Sequence, residues 1–511
     1  MFLFSHCKLP LINSVVQEKE GNIYMAINTP RQTSLLKREI LVRLIKAYLG
    51  ENFEEDTRKI PYDMRPNGSE VPYRCCIHKE RAILRDRAIA GLGLSIEEAD
   101  DSELLSTYAK QAQDREKPDA KPLTVLQTAC RGCVPSRIYV TDLCQGCVAR
   151  PCESACKFGA IKVENGRSKI DPAKCKNCGM CAQVCPYQAI AKIIVPCENA
   201  CPVGAIAKDE EGLAHIDFDK CISCGRCASA CPFGAVHEKS QVIDILKQLK
   251  AGKKIVAMVA PAIFGQLPCS PAQLREAILK LGFSDVIEVA QGADITSANE
   301  SVEFKERMEQ GQPFMTTSCC AGYNELVEKH IPEMKPFRSE TKTPTYYTAE
   351  MVKKNNPDVM TVFFSPCVAK RREANQNDNV DFVLNYEELA AWFIALDIQV
   401  DVLEGKPFEV ESSAQARNYA VTGGVAEAVN TLLNDDEKAN AYVINGLDKN
   451  AVRDLKKFAK NGKCELGNLI EVMACPGGCL GGSSTINAYK PALKQLTNYV
   501  KESPQYGDLK K

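Results

Sequence analysis

Five cysteines lie just after three apolar runs in the C-terminal half of the chain. Each run has the length and composition of a buried strand. In open α/β sheets, ligands bind at the carboxyl ends of the strands, so loops from distant parts of a chain can meet at one site. Thiolates are preferred ligands of soft metals. The pattern therefore predicts one buried metal site after the runs Phe314–Thr316, Val362–Phe364 and Leu469–Met473, made from Cys319, Cys320, Cys367, Cys475 and Cys479.

The last of these loops is rich in glycine. Gly477 and Gly478 separate its two cysteines, and Gly481 and Gly482 follow them. Glycine allows a backbone to approach a neighbouring group closely. We therefore expect this loop to pass close to something bulky.

A tandem repeat fills the stretch from 130 to about 236. The run Cys175–Pro186 recurs 46 residues later as Cys221–Pro232, and Pro151–Ile161 recurs 45 residues later as Pro196–Ile206. Each C-x2-C-x2-C-x3-C-P run is the bacterial ferredoxin signature, in which three thiolates bind one [4Fe–4S] cluster and the fourth binds its neighbour. Zinc sites use separated cysteine pairs, so the spacing favours iron–sulfur clusters over zinc.

Counting ligands predicts four clusters, because this region holds sixteen cysteines in suitable positions. Crosswise ferredoxin pairing gives three sets of four. These sets are Cys156, Cys175, Cys178 and Cys181; Cys144, Cys147, Cys152 and Cys185; and Cys201, Cys221, Cys224 and Cys227. The second copy lacks a leading pair of its own, so we expect Cys197 and Cys231 to use Cys130 and Cys133. Such clusters serve one-electron transfer, with a purely structural role as the alternative.

Bulk properties exclude several classes of function. The net charge of −1 favours neither nucleic acid nor an anionic membrane as a partner. The first residues lack the basic start and long apolar core of a signal peptide, and no apolar stretch is long enough to span a bilayer. The 26 cysteines then indicate metal ligands in a reducing compartment rather than a disulfide framework. We expect a soluble, cytoplasmic protein of about three domains.

Residues 1–122 form a separate, mainly helical region of unknown role. A helical stripe from Leu35 to Leu49 stops at Gly50. The segment 73–78 is either a ligand cluster or, as we favour, two packed cysteines, Cys75 and Cys76, that open a helix. Cys7 is the other cysteine of this region. The charged stretch 113–122, with two prolines, has the composition of a linker.

A tandem ferredoxin-like α+β domain is predicted at 123–239, and the pattern then becomes α/β. Helical stripes at 242–249 and 274–281 end at Gly252 and Gly282, and strands are predicted at 255–260 and 286–289. This alternation predicts a mixed or parallel sheet flanked by helices over 240–500. The polar tail, 501–511, is expected to be frayed.

Three motifs resemble, in order, the signature loops of [FeFe]-hydrogenases. They are Thr317–Ala321, Pro366–Glu373 and Glu471–Cys479, and the resemblance spans roughly 130–489. It implies an α/β catalytic domain around an H-cluster. That cofactor is a [4Fe–4S] cube joined through a cysteine sulfur to a di-iron subsite that carries CO, cyanide and a bridging dithiolate.

The resemblance also implies roles for the strand-end cysteines. Cys320, Cys367 and Cys475 would bind the cube, and Cys479 would be its fourth ligand and the bridge to the di-iron subsite. The residues expected to contact the cofactor are Pro261, Ala262, Ser365, Met473 and Gly478. Spacing alone shows only four thiolate ligands, so an ordinary [4Fe–4S] cube is the alternative.

A proton relay is implied as well. Cys319 would bind no iron and would transfer protons, which a thiol with an ordinary pKa of about 8.5 can do near neutrality; a plain core cysteine is the alternative. Lys370 would contact a cyanide ligand. The other relay residues of the family fall on Glu300, Glu303, Arg307 and Ser339. Without the resemblance, the two glutamates and the arginine would be interpreted as a solvated helix face.

The sequence departs from the family pattern in each loop. Ser365 replaces the usual methionine, Ala321-Gly322-Tyr323 replaces a segment with proline and tryptophan, and Ser483 replaces a third glycine. A hydroxyl in place of a polarisable thioether would shift the potential or rate of the site. These changes resemble the branch often called group B, and they leave catalytic bias and oxygen tolerance open.

The expected function is therefore a reversible hydrogenase that exchanges electrons with ferredoxin or a similar soluble carrier. Dedicated maturation enzymes would supply its di-iron unit. The alternatives are a hydrogenase-like iron–sulfur assembly factor without H2 turnover and an H2 sensor. The presence of Cys319 with Lys370 argues against the assembly factor, and no signalling segment is evident in the sequence.

Overall fold

The computed structural model describes residues 32–69, 73–130, 133–134 and 136–509, so Cys7 lies outside the described residues. The first part of the chain is helical, as predicted. Its helices are α1 (Gln32–Leu49), α2 (Phe53–Met64), α3 (Ile77–Gly91) and α4 (Leu105–Asp114). Leu44 and Ile45 of α1 are fully buried and belong to the same apolar core as Ile89 of α3 and Trp392 of the C-terminal region. This region is therefore packed onto the rest of the molecule.

Two sequence-based interpretations of this region need correction. Cys75 and Cys76 precede α3, as predicted, but both are exposed rather than packed. The stretch 113–122 is not a free linker, because its charges are held by buried partners. Arg115 forms two hydrogen bonds with Asp244, one of them at 2.8 Å, and Asp119 is paired with Lys239. Composition alone does not show that such charges have partners.

The ferredoxin-like region consists of short antiparallel strand pairs and short helices around the cysteine loops. The pairs are β1–β8, β2–β5, β3–β4 and β6–β7. The elements are β1 (Leu123–Val125), α5 (Gln127–Cys130), β2 (Arg137–Val140), α6 (Pro151–Ser154), β3 (Ile161–Glu164), β4 (Arg167–Ile170), α7 (Met180–Gln183), β5 (Ile190–Ile193), α8 (Pro196–Ala200), β6 (Ile206–Lys208), β7 (Ala214–Ile216), α9 (Arg226–Ala230) and β8 (Val236–Glu238).

The C-terminal region contains two parallel sheets, where the sequence predicted one. A four-stranded sheet has the order β10-β9-β12-β13, and a three-stranded sheet has the order β11-β15-β14. The strands are β9 (Ile255–Val259), β10 (Asp285–Glu288), β11 (Met315–Thr316), β12 (Met360–Ser365), β13 (Phe382–Asn385), β14 (Ala441–Asn445) and β15 (Leu469–Met473). β9 and β15 are buried at every position, as strands covered on both faces must be.

Helices cover both sheets. They are α10 (Val242–Lys250), α11 (Pro271–Lys280), α12 (Ala290–Glu309), α13 (Ala321–His330), α14 (Pro344–Asn355), α15 (Ala369–Ala374), α16 (Tyr386–Ala395), α17 (Ala414–Asn418), α18 (Gly424–Leu432), α19 (Lys449–Asn461) and α20 (Tyr489–Lys501). Short 3-10 turns occupy Pro261–Gly265, Pro332–Phe337, Val400–Val402, Asp435–Glu437, Gly478–Gly481 and Tyr506–Asp508. None of the helices in the described ranges is long and apolar enough to cross a membrane.

The prediction of a frayed tail is wrong for the described residues after α20. Ser503 is buried and its hydroxyl accepts a hydrogen bond from Arg417 at 2.8 Å. The backbone N–H of Ala414 donates to the carbonyl of Pro504 at 2.7 Å. Polar residues of the tail are therefore bound by polar groups of α17, which the composition of the tail alone cannot indicate.

Candidate active site

Three loops converge at the carboxyl ends of strands from the two sheets. The first follows β11 and contains Cys319 and Cys320, the second follows β12 and contains Cys367, and the third follows β15 and contains Cys475 and Cys479. Hydrogen bonds join the loops, because the N–H of Ala474 donates to the Cys320 sulfur at 3.4 Å and the N–H of Ser484 donates to the carbonyl of Pro366 at 3.1 Å. The predicted site is thus assembled, between two sheets rather than at one edge.

The four predicted cluster ligands, which are the strand-end thiols other than Cys319, influence one another electrostatically. Burial and the neighbouring Cys320 raise the pKa of Cys367 to about 12. Burial, Cys320 and Cys367 raise the pKa of Cys479 to about 12 as well. Burial and the other three thiols raise the pKa of Cys475 well above its ordinary value. Neutral thiols are favoured here as long as nothing positive is bound, so this site is matched to a cationic iron core that stabilises thiolates.

Neither a single-ion site nor a disulfide is found among the thiols of the described residues. In the ranges that the structure describes, no three Cys, His, Asp or Glu side chains are close enough to hold a single metal ion. All 25 described cysteines are free, so the disulfide alternative has no support among them.

The glycines of the third loop behave as expected, but their close neighbours belong to the protein itself. A Cβ on Gly477 would lie 2.4 Å from the Tyr489 ring, and one on Gly478 would lie 2.7 Å from the carbonyl of Ala420. Both have positive φ, +83° and +75°. A Cβ on Gly482 would lie 2.4 Å from the carbonyl of Pro366 in the second loop. These glycines hold the third loop against its surroundings.

The remaining predicted contact residues surround the same loops. Pro261 and Ala262 are buried in the turn after β9, which contacts the turn that contains Gly478. Met473 packs in one apolar cluster with Cys319 and Cys320. Ser365 is fully buried, and its hydroxyl accepts a hydrogen bond from the N–H of Cys367 at 3.2 Å.

Cys319 and Lys370 meet at the site. The Lys370 ammonium donates to the backbone carbonyl of Cys319 at 3.4 Å and is 2.5 Å from Glu373. Burial lowers the pKa of Lys370, but Glu373 and the nearby thiols outweigh it and leave the pKa raised, so the lysine stays charged. Burial and Glu300 raise the pKa of Cys319 well above its ordinary value. The expectation of an ordinary thiol pKa is therefore wrong, because Cys319 lies deep among other acidic groups.

The predicted relay residues lie on α12 and on the loop that contains Ser339. Glu300 is fully buried, and its carboxylate accepts hydrogen bonds from the N–H and hydroxyl of Ser318 at 3.1 and 3.2 Å. The Ser339 hydroxyl donates to Glu303 at 2.7 Å, and Arg307 is 2.7 Å from the same carboxylate. Burial raises the pKa of Glu300 to about 7. The interpretation of these residues as a solvated face is wrong for Glu300.

Sequence reasoning missed one buried carboxylate of the site. Glu471 lies in the middle of β15 with no exposed surface, and it accepts hydrogen bonds from the N–H groups of Gly423 and Ala426 at 2.7 and 2.9 Å. It holds the start of α18 beside the site and adds negative charge near Cys319 and Cys479. A charged residue inside an apolar strand is the signal that could have indicated it.

The sixteen ferredoxin-type cysteines are brought together in the predicted sets. One cavity is lined by Cys156, Cys175, Cys178 and Cys181, and a second by Cys144, Cys147, Cys152 and Cys185. Cys201 raises the thiol pKa of Cys221, Cys224 and Cys227, although burial is the larger cause. Cys130 and Cys231 likewise raise the pKa of Cys133 and Cys197, after burial.

Backbone N–H groups point at many of these sulfur atoms. The donors stand four residues after Cys156, Cys185, Cys201 and Cys231, at 3.2 to 3.4 Å from the sulfur. Ala214 donates in the same way to Cys130 at 3.3 Å. Such hydrogen bonds stabilise thiolate ligands and tune iron–sulfur clusters, so the donor sets fit the predicted cofactors.

The sets are arranged in a row. Cys224 contacts the strand-end site, because a Cβ on Gly322 would lie 3.8 Å from its Cβ and Cys367 raises its pKa. Ser136 then joins the two units, because its hydroxyl accepts a hydrogen bond from the N–H of Val195, two residues before Cys197, at 3.0 Å and its carbonyl accepts one from Asn177 of the Cys178 loop at 3.2 Å. β2 leads from there to the Cys144 loop. The order from the site outward is the Cys224 set, the Cys130 set, the Cys178 set and the Cys144 set.

Comparison with known proteins agrees with this site. A family profile described as "Iron only hydrogenase large subunit, C-terminal domain" matches residues 253–483, and a "4Fe-4S binding domain" profile matches 168–191 and 214–237. The chain is 32% identical over 403 residues to the "Periplasmic [Fe] hydrogenase large subunit" of Nitratidesulfovibrio vulgaris, covering 67% of this chain and 91% of that protein. The chain belongs to the iron-only hydrogenase family.

Two other hydrogenases match over part of their length. "Iron hydrogenase 1" of Clostridium pasteurianum is 29% identical over 305 residues, which is 48% of this chain and 53% of that protein. The "NADP-reducing hydrogenase subunit HndD" of Solidesulfovibrio fructosivorans is 28% identical over 424 residues, which is 68% of this chain and 64% of that protein. The chain thus covers less than two thirds of the length of these two proteins.

Proposed function

We propose that this protein is a reversible hydrogenase that interconverts two protons and two electrons with H2 at a buried H-cluster. The observation that carries the proposal is Cys319, a fifth thiol beside a set of four, with the buried Glu300 behind it. An ordinary [4Fe–4S] cube needs four thiolates and no proton path. A site that consumes or releases protons needs both the extra thiol and the carboxylates.

Cys320, Cys367, Cys475 and Cys479 would hold the H-cluster, with Cys479 as the bridge to its di-iron subsite. The bound cofactor supplies the iron centre at which H2 is formed and split. Lys370 supports its placement, because an ammonium that stays charged at the site attracts an anionic ligand such as cyanide. Glu373 fixes the position of that ammonium through the 2.5 Å contact.

The chain's own residues would move the protons. Cys319 keeps its proton at neutral pH because its pKa is raised, so it would serve as a donor toward the site and be recharged from the neighbouring Glu300. A carboxyl with a pKa of about 7 can accept and release a proton near neutrality. Ser339 then links Glu300 to Glu303, and Arg307 beside Glu303 ends the relay at a partly exposed position.

The electrons would travel along the [4Fe–4S] clusters that lie between the site and the carrier and be exchanged with ferredoxin. The contact between the Cys224 loop and the strand-end loops supports this route, since a cluster held by the Cys224 set would lie beside the site. The presence of Cys319, Glu300 and Lys370 supports the enzyme over an assembly factor or an H2 sensor. The cytoplasm is the proposed compartment, supported by the free thiols, and fractionation of the producing cells tests it.

The deciding experiment is an infrared spectrum of protein matured with the di-iron subsite, before and after addition of H2. Sharp CO and cyanide bands that shift under H2 are the expected result. If iron fills the [4Fe–4S] sites but these bands are absent, the assembly-factor alternative replaces the hydrogenase proposal.

A variant pair tests the role of Cys319. Cys319→Ala should lower H2 turnover at least about a hundredfold and keep the iron content, because only the proton donor is removed. Cys269→Ala, which removes a partly buried thiol that packs against the core, is the matched control and should keep turnover. Similar turnover in both variants would remove Cys319 from the relay.

A further inference from the structure

One face of the first ferredoxin unit combines an exposed cluster cysteine with exposed apolar side chains. Cys178 is the one exposed residue among the sixteen ferredoxin-type cysteines, all of which the structure describes. Phe158 and Met180 line the same cavity wall and are 48% and 42% exposed. Nine of the nineteen exposed large apolar residues of the described chain lie between 134 and 194. Exposed apolar residues concentrated in this way mark an interaction surface.

The same face is strongly basic. Three exposed lysines are sequence neighbours of cysteines in this set, Lys157 after Cys156 and Lys174 and Lys176 on either side of Cys175, and Lys192 is a fourth. Lys192 lies over Gly179, the residue after Cys178, and Lys176 lines the cavity of the cluster. Of the four lysines, only Lys174 has a carboxylate partner among the described residues, Asp171 at 3.6 Å. We call Phe158, Met180 and these four lysines the Cys178 face.

The charge of this unit is opposite to that of the rest of the chain. Residues 133–195 contain nine Lys and Arg and four Asp and Glu, a net charge of +5, whereas the whole chain has −1. A net positive charge thus marks the unit farthest from the strand-end site. A basic patch of this kind attracts an acidic partner and raises the rate of encounter.

We propose that the Cys178 face is the docking surface for an acidic one-electron carrier protein. The proposal rests on the proposed function and names the place where its electrons enter and leave. The exposed Cys178 lets the carrier's redox centre come closest to a cluster of the chain. Phe158 and Met180 would form the dry centre of the contact, and the lysines its charged rim, as in small transient interfaces.

Charge reversal tests the surface. The double variant Lys157→Glu with Lys176→Glu should raise the KM for an acidic plant-type [2Fe–2S] ferredoxin about tenfold at low salt, because rim charges govern association. The difference in this KM between the double variant and the parent should become smaller as salt is added, because salt screens the charges. Turnover with saturating methyl viologen, a small dye that needs no docking face, should stay within about twofold of the parent.

The matched control is Lys456→Glu with Lys460→Glu, which makes the same charge change at exposed positions of α19. Equal KM values for ferredoxin in the two double variants, with equal iron content, would overturn the proposal. Self-association of the parent that the Lys157→Glu, Lys176→Glu variant loses in analytical ultracentrifugation would also overturn it, because a second copy would then occupy the face.

A binding measurement that needs no H2 turnover tests the docking surface independently of the proposed hydrogenase activity. The affinity of oxidised ferredoxin, measured by biolayer interferometry, should fall about tenfold in the Lys157→Glu, Lys176→Glu variant and stay unchanged in the control. A parent without dye-linked H2 turnover would end the hydrogenase proposal, while the difference in affinity would still decide where the carrier docks.

Discussion

The Ser339 hydroxyl donates a hydrogen bond of 2.7 Å to the Glu303 carboxylate and lies close enough to Glu300 to lower the pKa of that carboxyl. Ser339 itself is buried and fixed, since its N–H donates to the carbonyl of Thr316 at 2.8 Å. One hydroxyl thus stands between a buried carboxyl and a partly exposed one. In the proposed relay, each proton that moves between the two carboxyls therefore passes through this single hydroxyl.

Removing this hydroxyl should slow turnover without disturbing the iron sites. Ser339→Ala is expected to lower kcat about a hundredfold, because proton transfer through a positioned group contributes on that order. Thr341→Val is the control, since the Thr341 hydroxyl also donates to Glu303, at 2.8 Å, but is not among the groups that shift the pKa of Glu300. H2 evolution with reduced methyl viologen measures kcat of both variants. An equal loss of kcat in Ser339→Ala and Thr341→Val would contradict the relay.

The buried Glu300 should make stability depend on pH in a definite direction. Its folded pKa of about 7 exceeds the ordinary value of 4.5, so between these values the folded state binds a proton that the unfolded state lacks. Stability therefore falls as pH rises through this window, and the loss persists above it. The shift corresponds to roughly 3 kcal/mol. Glu300→Gln should be more stable than the parent at pH 8 and equal to it near pH 4.5.

Glu303 provides a comparison of opposite sign. Hydrogen bonds from Ser339 and from the N–H of Glu340 outweigh burial and lower its pKa, so its ionised form stabilises the fold at neutral pH. That contribution is present above the ordinary pKa and is lost as pH falls through the folded one. Glu303→Gln should therefore melt below the parent at pH 8. Anaerobic melting curves of both variants measure these opposite shifts. A Glu300→Gln variant that also melts below the parent at pH 8 would contradict the raised pKa assigned to Glu300.

Local spacing explains why part of this structure could be predicted. The ferredoxin runs and the strand-end cysteines were predicted from short-range patterns, and β15 has the predicted bounds, Leu469–Met473. Long-range packing explains the rest. The separation into two sheets, the burial of Glu300 and the exposure of Cys75 and Cys76 depend on which elements meet, and no local pattern encodes that.

The pKa of Cys319 shows the same limit. Its ordinary value follows from residue type, but its raised value follows first from burial and then from the neighbouring Cys320 and from Glu300 and Glu471, which lie on two distant elements. The position of Lys370 beside Cys319 could be predicted only through the family resemblance, and its pairing with Glu373 could have been predicted from their spacing of three on a helix.

The pair Cys130 and Cys133 should hold one complete cluster. Both lie beside Cys197 and Cys231, the two cysteines that lack a leading pair of their own. Replacing Cys130 and Cys133 by serine should remove close to four irons per chain, because a [4Fe–4S] cluster needs its thiolates. The control replaces the exposed Cys75 and Cys76 by serine and should keep all iron. Iron and acid-labile sulfide analysis measures the difference, and an unchanged iron content in the first variant would contradict the set.

The contact between Gly225 and Ser483 should control electron entry to the active site. A Cβ on Gly225 would lie 2.3 Å from the Ser483 hydroxyl and 3.1 Å from a methyl group of Val368, so Gly225→Ala must move the Cys224 loop away from the strand-end loops. The reduction of the accessory clusters by H2, followed by stopped-flow absorbance, should become several times slower, because electron transfer weakens with distance.

The tandem repeat offers a control variant for the backbone strain that alanine causes at a residue with positive φ. Gly179 occupies the position of Gly225 in the first unit, with φ of +85° against +75°, but its nearest neighbour would be the flexible side chain of Lys192 at 3.5 Å. Alanine at either position strains a left-handed residue by about 1 to 2 kcal/mol. Gly179→Ala should therefore lower the melting temperature to a similar degree and leave the rate of cluster reduction unchanged. Equal rates in the two variants would show that the distance between the Cys224 loop and Ser483 does not limit electron entry.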